Sequence, residues 1–140
     1  MSDIVYARDA RLTVDEYIDV VGHSDLGTTR PIGDRERVAR MIAGANLVVT
    51  ARLDGRCIGL SRCIADFAWT AYCCDLAVHE EFQGRGIGRE LLRVSKDVLG
   101  DEVGLALFSM PEAVPFYDRL EPLGVKRNGD GYFWSRTRGA

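Results

Sequence analysis

An α+β fold is what the sequence predicts: a sandwich whose mixed, mostly antiparallel central sheet of about seven strands carries helices on both faces. Three observations predict it. Strand-like runs at residues 46–53, 56–65 and 71–78 follow one another closely enough to pair as an antiparallel meander. Two segments of helical period precede the meander and a third follows it, so both faces of a sheet can be covered. An apolar run at residues 103–108 comes after that third helix, which makes it a parallel neighbour of the strand before the helix, reached by a right-handed crossover.

In chain order, residues 3–7 read as a short first strand. Thr13-Val14-Asp15-Glu16 is a capping box, in which the two side chains satisfy each other's backbone N–H groups, and it opens a helix with Val14, Tyr17, Ile18 and Val21 along one face. The stretch 22–33 is polar and turn-rich, after which Asp34 caps a second helix bearing Val38, Met41 and Ile42. Between the next two strands, Asp54-Gly55 suits a type I′ turn, which needs positive φ at both central residues. Residues 66–70 break the pattern before the fourth strand, and residues 79–86 leave that strand as a loop. From Ile87 to Gly100 the apolar positions Leu91, Val94 and Val98, with Leu92 and Leu99 alongside, keep helical spacing. The run 103–108 is continuously apolar, as in strands buried on both faces. Residues 111–119 read as a short helix distorted by Pro115, and two strand-like pieces around Asn128-Gly129-Asp130-Gly131 as a terminal hairpin.

At 140 residues the chain has room for one hydrophobic core of ordinary size, so a single domain spanning 1–140 is expected. A net charge of −3, with basic residues scattered, offers no electrostatic footprint for nucleic acid or an anionic membrane. Met1-Ser2-Asp3-Ile4 lacks the basic-then-apolar start of a secretory signal, and no apolar run approaches membrane-spanning length, so a cytoplasmic protein is expected. Cys57, Cys63, Cys73 and Cys74 lie in strand-like segments without a C-x-x-C pair, which points to buried free thiols and to no metal.

The chemistry is concentrated between Asp75 and Leu92, where a strand, a glycine-rich turn and an amphipathic helix follow in order. Residues without Cβ let backbone N–H groups converge on an anion, and the helix beginning here adds unpaired N–H donors and the positive end of its dipole. Arg85 and Arg89 can reinforce a phosphate site or remain solvated charges. A nucleotide-hydrolysing P-loop is disfavoured because Gly88 is followed by Arg89-Glu90 and not by Lys-Ser/Thr. A dinucleotide fingerprint is disfavoured because the glycines alternate, at positions 84, 86 and 88, after an antiparallel meander.

Gln83-Gly84-Arg85-Gly86-Ile87-Gly88, following Leu76-Ala77-Val78, resembles the acyl-CoA signature (Q/R-x-x-G-x-G/A) of the GNAT superfamily of N-acetyltransferases. The order of elements agrees along nearly the whole chain, and Ala113-Val114-Pro115-Phe116-Tyr117 is similar to the family's tyrosine-bearing helix. The resemblance implies acetyl-CoA as co-substrate, with the pyrophosphate of coenzyme A on Gln83, Gly84, Arg85, Gly86, Ile87, Gly88 and Arg89, and its pantetheine arm along Leu76, Ala77 and Val78. It further implies a bulge where the fourth and fifth strands part, leaving backbone groups to pair with pantetheine and polarise the thioester. The implied reaction is N-acetyl transfer by direct attack of a neutral amine, with Tyr117 donating a proton to the leaving thiolate.

The base is open. Tyr72 stands where some family members carry a carboxylate; Asp75, Asp66 and Glu80 are the nearby acids, Asp75 first among them, although a structural role fits it equally. His79 and His23 occupy positions that are commonly solvated. Met110 replaces an asparagine often found seven residues before the tyrosine, and Gly124-Val125 follows extra residues, Glu121-Pro122-Leu123, where Gly-Phe is usual. The acceptor is expected to be a small-molecule amine; a protein N-terminus or lysine, or a non-catalytic acyl-CoA-binding module, are the alternatives. Acceptors in the family enter beside the loop of residues 24–33 and the last hairpin at 128–132, where Asp25, Asp66 and Asp130 favour a cation and Arg30 and Arg127 a carboxylate. Phe67, Trp69 and Tyr72 form core or line the acceptor side. Many family members pair as homodimers, while this sequence by itself shows no oligomeric state.

Overall fold

Alternation of apolar and polar residues decides the layers, and the computed structural model, which describes residues 3–137, shows them. Strands β1 (Ile4–Arg8), β2 (Leu47–Leu53), β3 (Arg56–Ala65), β4 (Thr70–Val78) and β5 (Gly104–Ala106) form one sheet in chain order, antiparallel up to β4 and parallel between β4 and β5. Helices α1 (Val14–Gly22) and α2 (Arg35–Gly44) cover one face, where Tyr17, Val20, Val21 and Val38 pack with Val48 and Leu60. Helix α3 (Ile87–Leu99) covers the other, where Ile87, Leu91 and Leu99 pack with Leu47, Val49 and Ile58. The chain divides into two compact units, the first ending at Leu107 and the second starting at Phe108. No helix among the described residues is long and apolar enough to cross a membrane.

The local signals act as expected at the helix starts. Thr13 Oγ1 accepts from the Glu16 amide at 3.1 Å while Glu16 Oε1 accepts from the Thr13 amide at 3.0 Å, and Asp34 Oδ1 accepts from the Arg37 amide at 3.0 Å. Asp54 and Gly55 both have positive φ, 50° and 83°, the type I′ signature. Gly59 permits a close approach: a Cβ there would lie 3.0 Å from Leu91 Cδ1, so α3 seats directly on β3. A set of charges closes the far end of β1: Arg52 donates to Asp9 Oδ2 at 2.8 Å and to Glu16, and Thr50 Oγ1 donates to Asp9 Oδ2 at 2.8 Å. Burial alone would raise the Asp9 pKa; its bonds from Arg52, Arg11 and Thr50 outweigh that and hold it well below the usual carboxylate range.

Among the described residues the sheet has five strands, not about seven, and the difference lies in the C-terminal part of the chain. The terminal pair of strands around Asn128-Gly129-Asp130-Gly131 is not formed: the segment turns there, with Asn128 Oδ1 accepting from the Asp130 amide, and joins no ladder among the described residues. Tyr132 and Trp134 are 98% and 95% exposed, and β-propensity is expressed only when such side chains pack on a pleated, half-buried surface. The run 103–108 likewise pairs only through Gly104–Ala106, at the sheet edge with an exposed, half-buried, exposed pattern, so it is not buried on both faces. Pro115 does not distort its helix, α4 (Val114–Asp118). It occupies the first turn, where a missing N–H costs nothing.

Cys57, Cys63 and Cys73 are buried free thiols and Cys74 is half-buried. Burial pushes the Cys57 thiol up to about 11. Alkylation of the native protein at mildly alkaline pH is therefore expected to modify Cys74 slowly and spare the other three, with all four labelled after unfolding. Fast loss of two or more thiols in the folded state would contradict the packing.

Candidate active site

The bulge that opens the site is in β4, at Cys74. Arg62 of β3 faces Asp75 and Cys63 faces Cys73, so Cys74 is the extra residue. The insertion reverses the faces of the strand: Ala71 and Cys73 join the core under α3, whereas Asp75 and Ala77 turn toward α1, and Leu76 and Val78 pack under α3 instead. β5 pairs with β4 only through Thr70, Ala71 and Tyr72, so the strands part immediately before the bulge. The His79 amide donates to Ile58 O at 2.9 Å, and by the two-residue alternation of an antiparallel ladder Ala77 also points at β3 while Leu76 and Val78 point away from it. Along that outward edge, Cys74 O accepts from Arg30 and Val78 O from Gln83. The side chains of Leu76, Ala77 and Val78 thus serve the cores, and the open feature is main chain.

From Val78 the chain enters a built turn. His79, only 3% exposed and not solvated as its position suggested, accepts from the Glu81 amide through Nδ1 at 3.2 Å and opens a single 3-10 turn, Glu80–Phe82. Gln83 Nε2 donates to Val78 O at 2.9 Å, clamping the end of the strand to the start of the glycine turn. Gly84 and Gly86 have φ of +81° and +76°, and a Cβ on either would meet nothing within 4 Å; the left-handed backbone, not crowding, is what demands glycine. Gly86 is the N-cap of α3 and supplies no capping side chain. The first intrahelical bond runs from the Glu90 amide to Gly86 O at 3.1 Å, so the amides of Ile87, Gly88 and Arg89 lack helical acceptors by geometry. Ile87 is buried and anchors this end to the core, while Arg85 and Arg89 are exposed, with the Arg85 guanidinium 5.3 Å from the Phe82 ring. Three convergent amides, a helix dipole and a cation over an aromatic ring suit a phosphate group.

Asp75 does not meet the requirements of a base. Its carboxylate, 1% exposed, accepts from Tyr17 Oη at 2.7 Å, Arg62 Nε at 2.6 Å and Arg30 Nε at 2.6 Å. Burial pulls its pKa upward, but the charges and bonds of Arg62, then Arg30 and Tyr17, pull it further down, leaving a carboxylate below the ordinary range. Sequence reasoning missed this network of four residues from α1, the following loop, β3 and β4. The signal was present, in one charge of each sign inside two adjacent apolar strands, at Arg62 and Asp75. Asp66 is likewise a structural acid, one oxygen accepting from the amides of Ala68, Trp69 and Thr70. Asp19, His23 and His79 bring ligand atoms within 4.8 Å of one another, yet His23 Nδ1 lies 2.7 Å from Asp19 O, so it is spent on a helix carbonyl. The Glu81 amide holds the His79 lone pair at Nδ1, so Nε2 carries hydrogen, a donor set that does not suit a metal.

In the second unit, Tyr117 sits on α4, half-buried, its ring 4.9 Å from that of Phe116. Met110 accepts from the Ala113 amide and starts the turn before α4. Arg127 is paired with Asp118 at 3.1 Å. Phe67, Trp69 and Tyr72 are not core: they are 39%, 79% and 37% exposed.

Comparison with known proteins gives one family. The model of the acetyltransferase (GNAT) family matches residues 15–121. A curated relative, an uncharacterized N-acetyltransferase of Gracilaria tenuistipitata var. liui, is 34% identical over 83 residues, covering 55% of this chain and 43% of the relative. The matched stretch spans between 31% and 52% of the length of such curated relatives. Among solved structures, a candidate acetyltransferase from Deinococcus radiodurans R1 superposes with a TM-score of 0.73 at 28% identity, covering 96% of this chain and 89% of that one. An aminoglycoside N-acetyltransferase, AAC(6')-Iy, in complex with CoA shares the fold with a TM-score of 0.72 at 14% identity, covering 98% of this chain and 97% of that one.

Proposed function

The chain belongs to the GNAT family of acetyltransferases, and from that premise we propose that it transfers an acetyl group from acetyl-CoA to a primary amine of a small molecule. What supports the carrier is the junction of β4 with α3, where a strand edge that has no partner strand at Leu76 and Val78 among the described residues runs into a turn whose two left-handed glycines present three amides without helical acceptors. The CoA bound in the aminoglycoside acetyltransferase of the same fold agrees with it. Gln83, Gly84, Arg85, Gly86, Ile87, Gly88 and Arg89 hold the pyrophosphate, and the outward main chain of Leu76 to Val78 pairs with the pantetheine amides and polarises the acyl carbonyl. The carrier supplies an activated thioester. Tyr117, carried over from the family resemblance, returns a proton to the departing sulfur. With Asp75 held as a buried ion-pair partner, no side-chain base is assigned, and the amine loses its proton to water. Four free thiols support a reducing compartment such as the cytoplasm.

The experiment is a substitution at the turn. Gly86→Val forces a β-branched residue to φ +76° at a strain of about 1–2 kcal/mol and covers the helix amides, so its Kd for acetyl-CoA is expected to rise roughly tenfold or more with the fold retained. Equal affinity in wild type and variant would remove the glycine turn from the site. Thermal stabilisation by acetyl-CoA with no thiol release in the presence of any amine would leave a binding module and no transferase.

A further inference from the structure

Charge in the buried network does not balance. Asp75 carries one negative charge and Arg30 and Arg62 two positive ones, while burial, reinforced by Asp75, pushes the Tyr17 hydroxyl further up from an already high pKa, so it stays neutral. One positive charge is left over. The Arg62 side chain is 9% exposed and also donates to Met41 O, whereas that of Arg30 is 25% exposed, so the surplus reaches solvent at Arg30. A guanidinium has five N–H donors. Arg30 spends Nε on Asp75, one Nη1 hydrogen on Thr29 Oγ1 at 2.8 Å and one Nη2 hydrogen on Cys74 O at 2.7 Å. Among the described residues no bond takes the other two, one on each terminal nitrogen.

The place of this cation is as informative as its charge. Arg30 is bonded to the carbonyl of the bulge residue, on the outward edge of β4, immediately past the point where β5 leaves. Leu76, whose outward amide is offered to the acyl group, is two residues further on, about 7 Å along a strand. A bent bridge between two points so placed, with a charge-assisted bond of about 2.8 Å at the Arg30 end and an attack distance of about 3 Å at the acyl end, suits only a short spacer between the anion and the nucleophile. Three bonds already fix the guanidinium, so little ordering is left to cost on binding. Arg127, the other arginine in the expected acceptor loops, is engaged with Asp118.

We propose that Arg30 is the acceptor-selecting residue and that the acceptor is an amine bearing a carboxylate on the same or a neighbouring carbon, of the amino-acid class. This rests on the acyl-transfer reading above and deepens it. Asp75 is then a positioning residue, holding Arg30 with its fork turned toward the bulge. The surplus charge repels acceptors whose far end is another ammonium, which excludes polyamines.

The test is acetyl-CoA-dependent thiol release by the full chain with matched acceptors: α- and β-amino acids, their carboxamides, and a polyamine. The wild type is expected to prefer each acid over its amide by ten- to a hundredfold in kcat/KM, carried mainly by KM. Arg30→Lys keeps the charge opposite Asp75 but gives up the fork, and the acid-to-amide ratio is expected to fall at least tenfold, with the melting temperature recorded alongside. Amides or polyamines turned over as well as acids by the wild type would overturn the inference and leave acyl transfer standing, as would a variant slowed equally on acid and amide. Absence of thiol release with every amine, despite acetyl-CoA binding, would overturn acyl transfer and this inference together.

Discussion

Replacing Asp75 by asparagine is expected to destabilise the fold by about 3–5 kcal/mol, the cost of removing one partner from a buried ion pair. Against a total of about 5–15 kcal/mol for a domain, that is a large fraction, and it corresponds to a melting-temperature loss on the order of 10 °C. The cause is what remains behind: Arg62, with a side chain 9% exposed, would keep its charge with no carboxylate, and the amide would offer one acceptor oxygen and an NH2 donor to the three donors of Tyr17, Arg30 and Arg62. The sign with pH follows from the direction of the Asp75 shift. Its native pKa is lowered from an unfolded value of about 3.9, so its contribution is complete above that pH and is lost as pH falls through the native value. Urea midpoints should therefore show wild type and Asp75→Asn far apart at neutral pH and converging on acidification below about pH 4. Equal midpoints at neutral pH, or a gap that persists in acid, would deny the carboxylate its structural role.

The second large effect is on turnover. Tyr117→Phe removes a hydroxyl and nothing else, and kcat is expected to fall about a hundredfold, the lower end of the 10²–10⁴ that a positioned general acid supplies. The lower end is expected because a thiol with a pKa of about 8.5 departs as the thiolate without indispensable help. The glycine turn and the β4 edge lie elsewhere in the chain, so the Kd for acetyl-CoA should stay within about twofold, the same free energy on both sides of the comparison. Measured by thiol release and by calorimetric titration, an unchanged kcat would strip Tyr117 of its role. A Kd that rose as much as kcat fell would make it a binding residue.

Much of the site was legible because its signals are local. Three alternating glycines before a helix announce left-handed backbone and unpaired amides wherever the chain goes, and Gly84 and Gly86 adopt it. The capping residues Thr13 and Asp34 and the Asp54-Gly55 turn act within three or four residues of themselves. Asp75 was not legible in the same way: whether a strand carboxylate is a base or an ion-pair partner depends on Arg30, 45 residues away in sequence, and Tyr17, 58 away. His79 looked solvated because its own neighbours are a strand end and a loop, and it is buried because α1 and the 3-10 turn close over it. The terminal strands failed for the converse reason, since Tyr132 and Trp134 have the propensity for a sheet but pack on none.

By itself, then, the sequence determined the order of elements as far as α4, the capped helices, the tight turn of the meander and the glycine turn opening α3, because each depends on dihedral preferences and hydrogen bonds between near neighbours. Tertiary structure alone decided where β4 bulges, which face Asp75 takes after it, and that one guanidinium charge is left over at Arg30. Those outcomes depend on which distant side chains share a low-dielectric interior, where a buried charge must find its partner across the fold, and the spacing of residues along a chain does not encode that meeting directly.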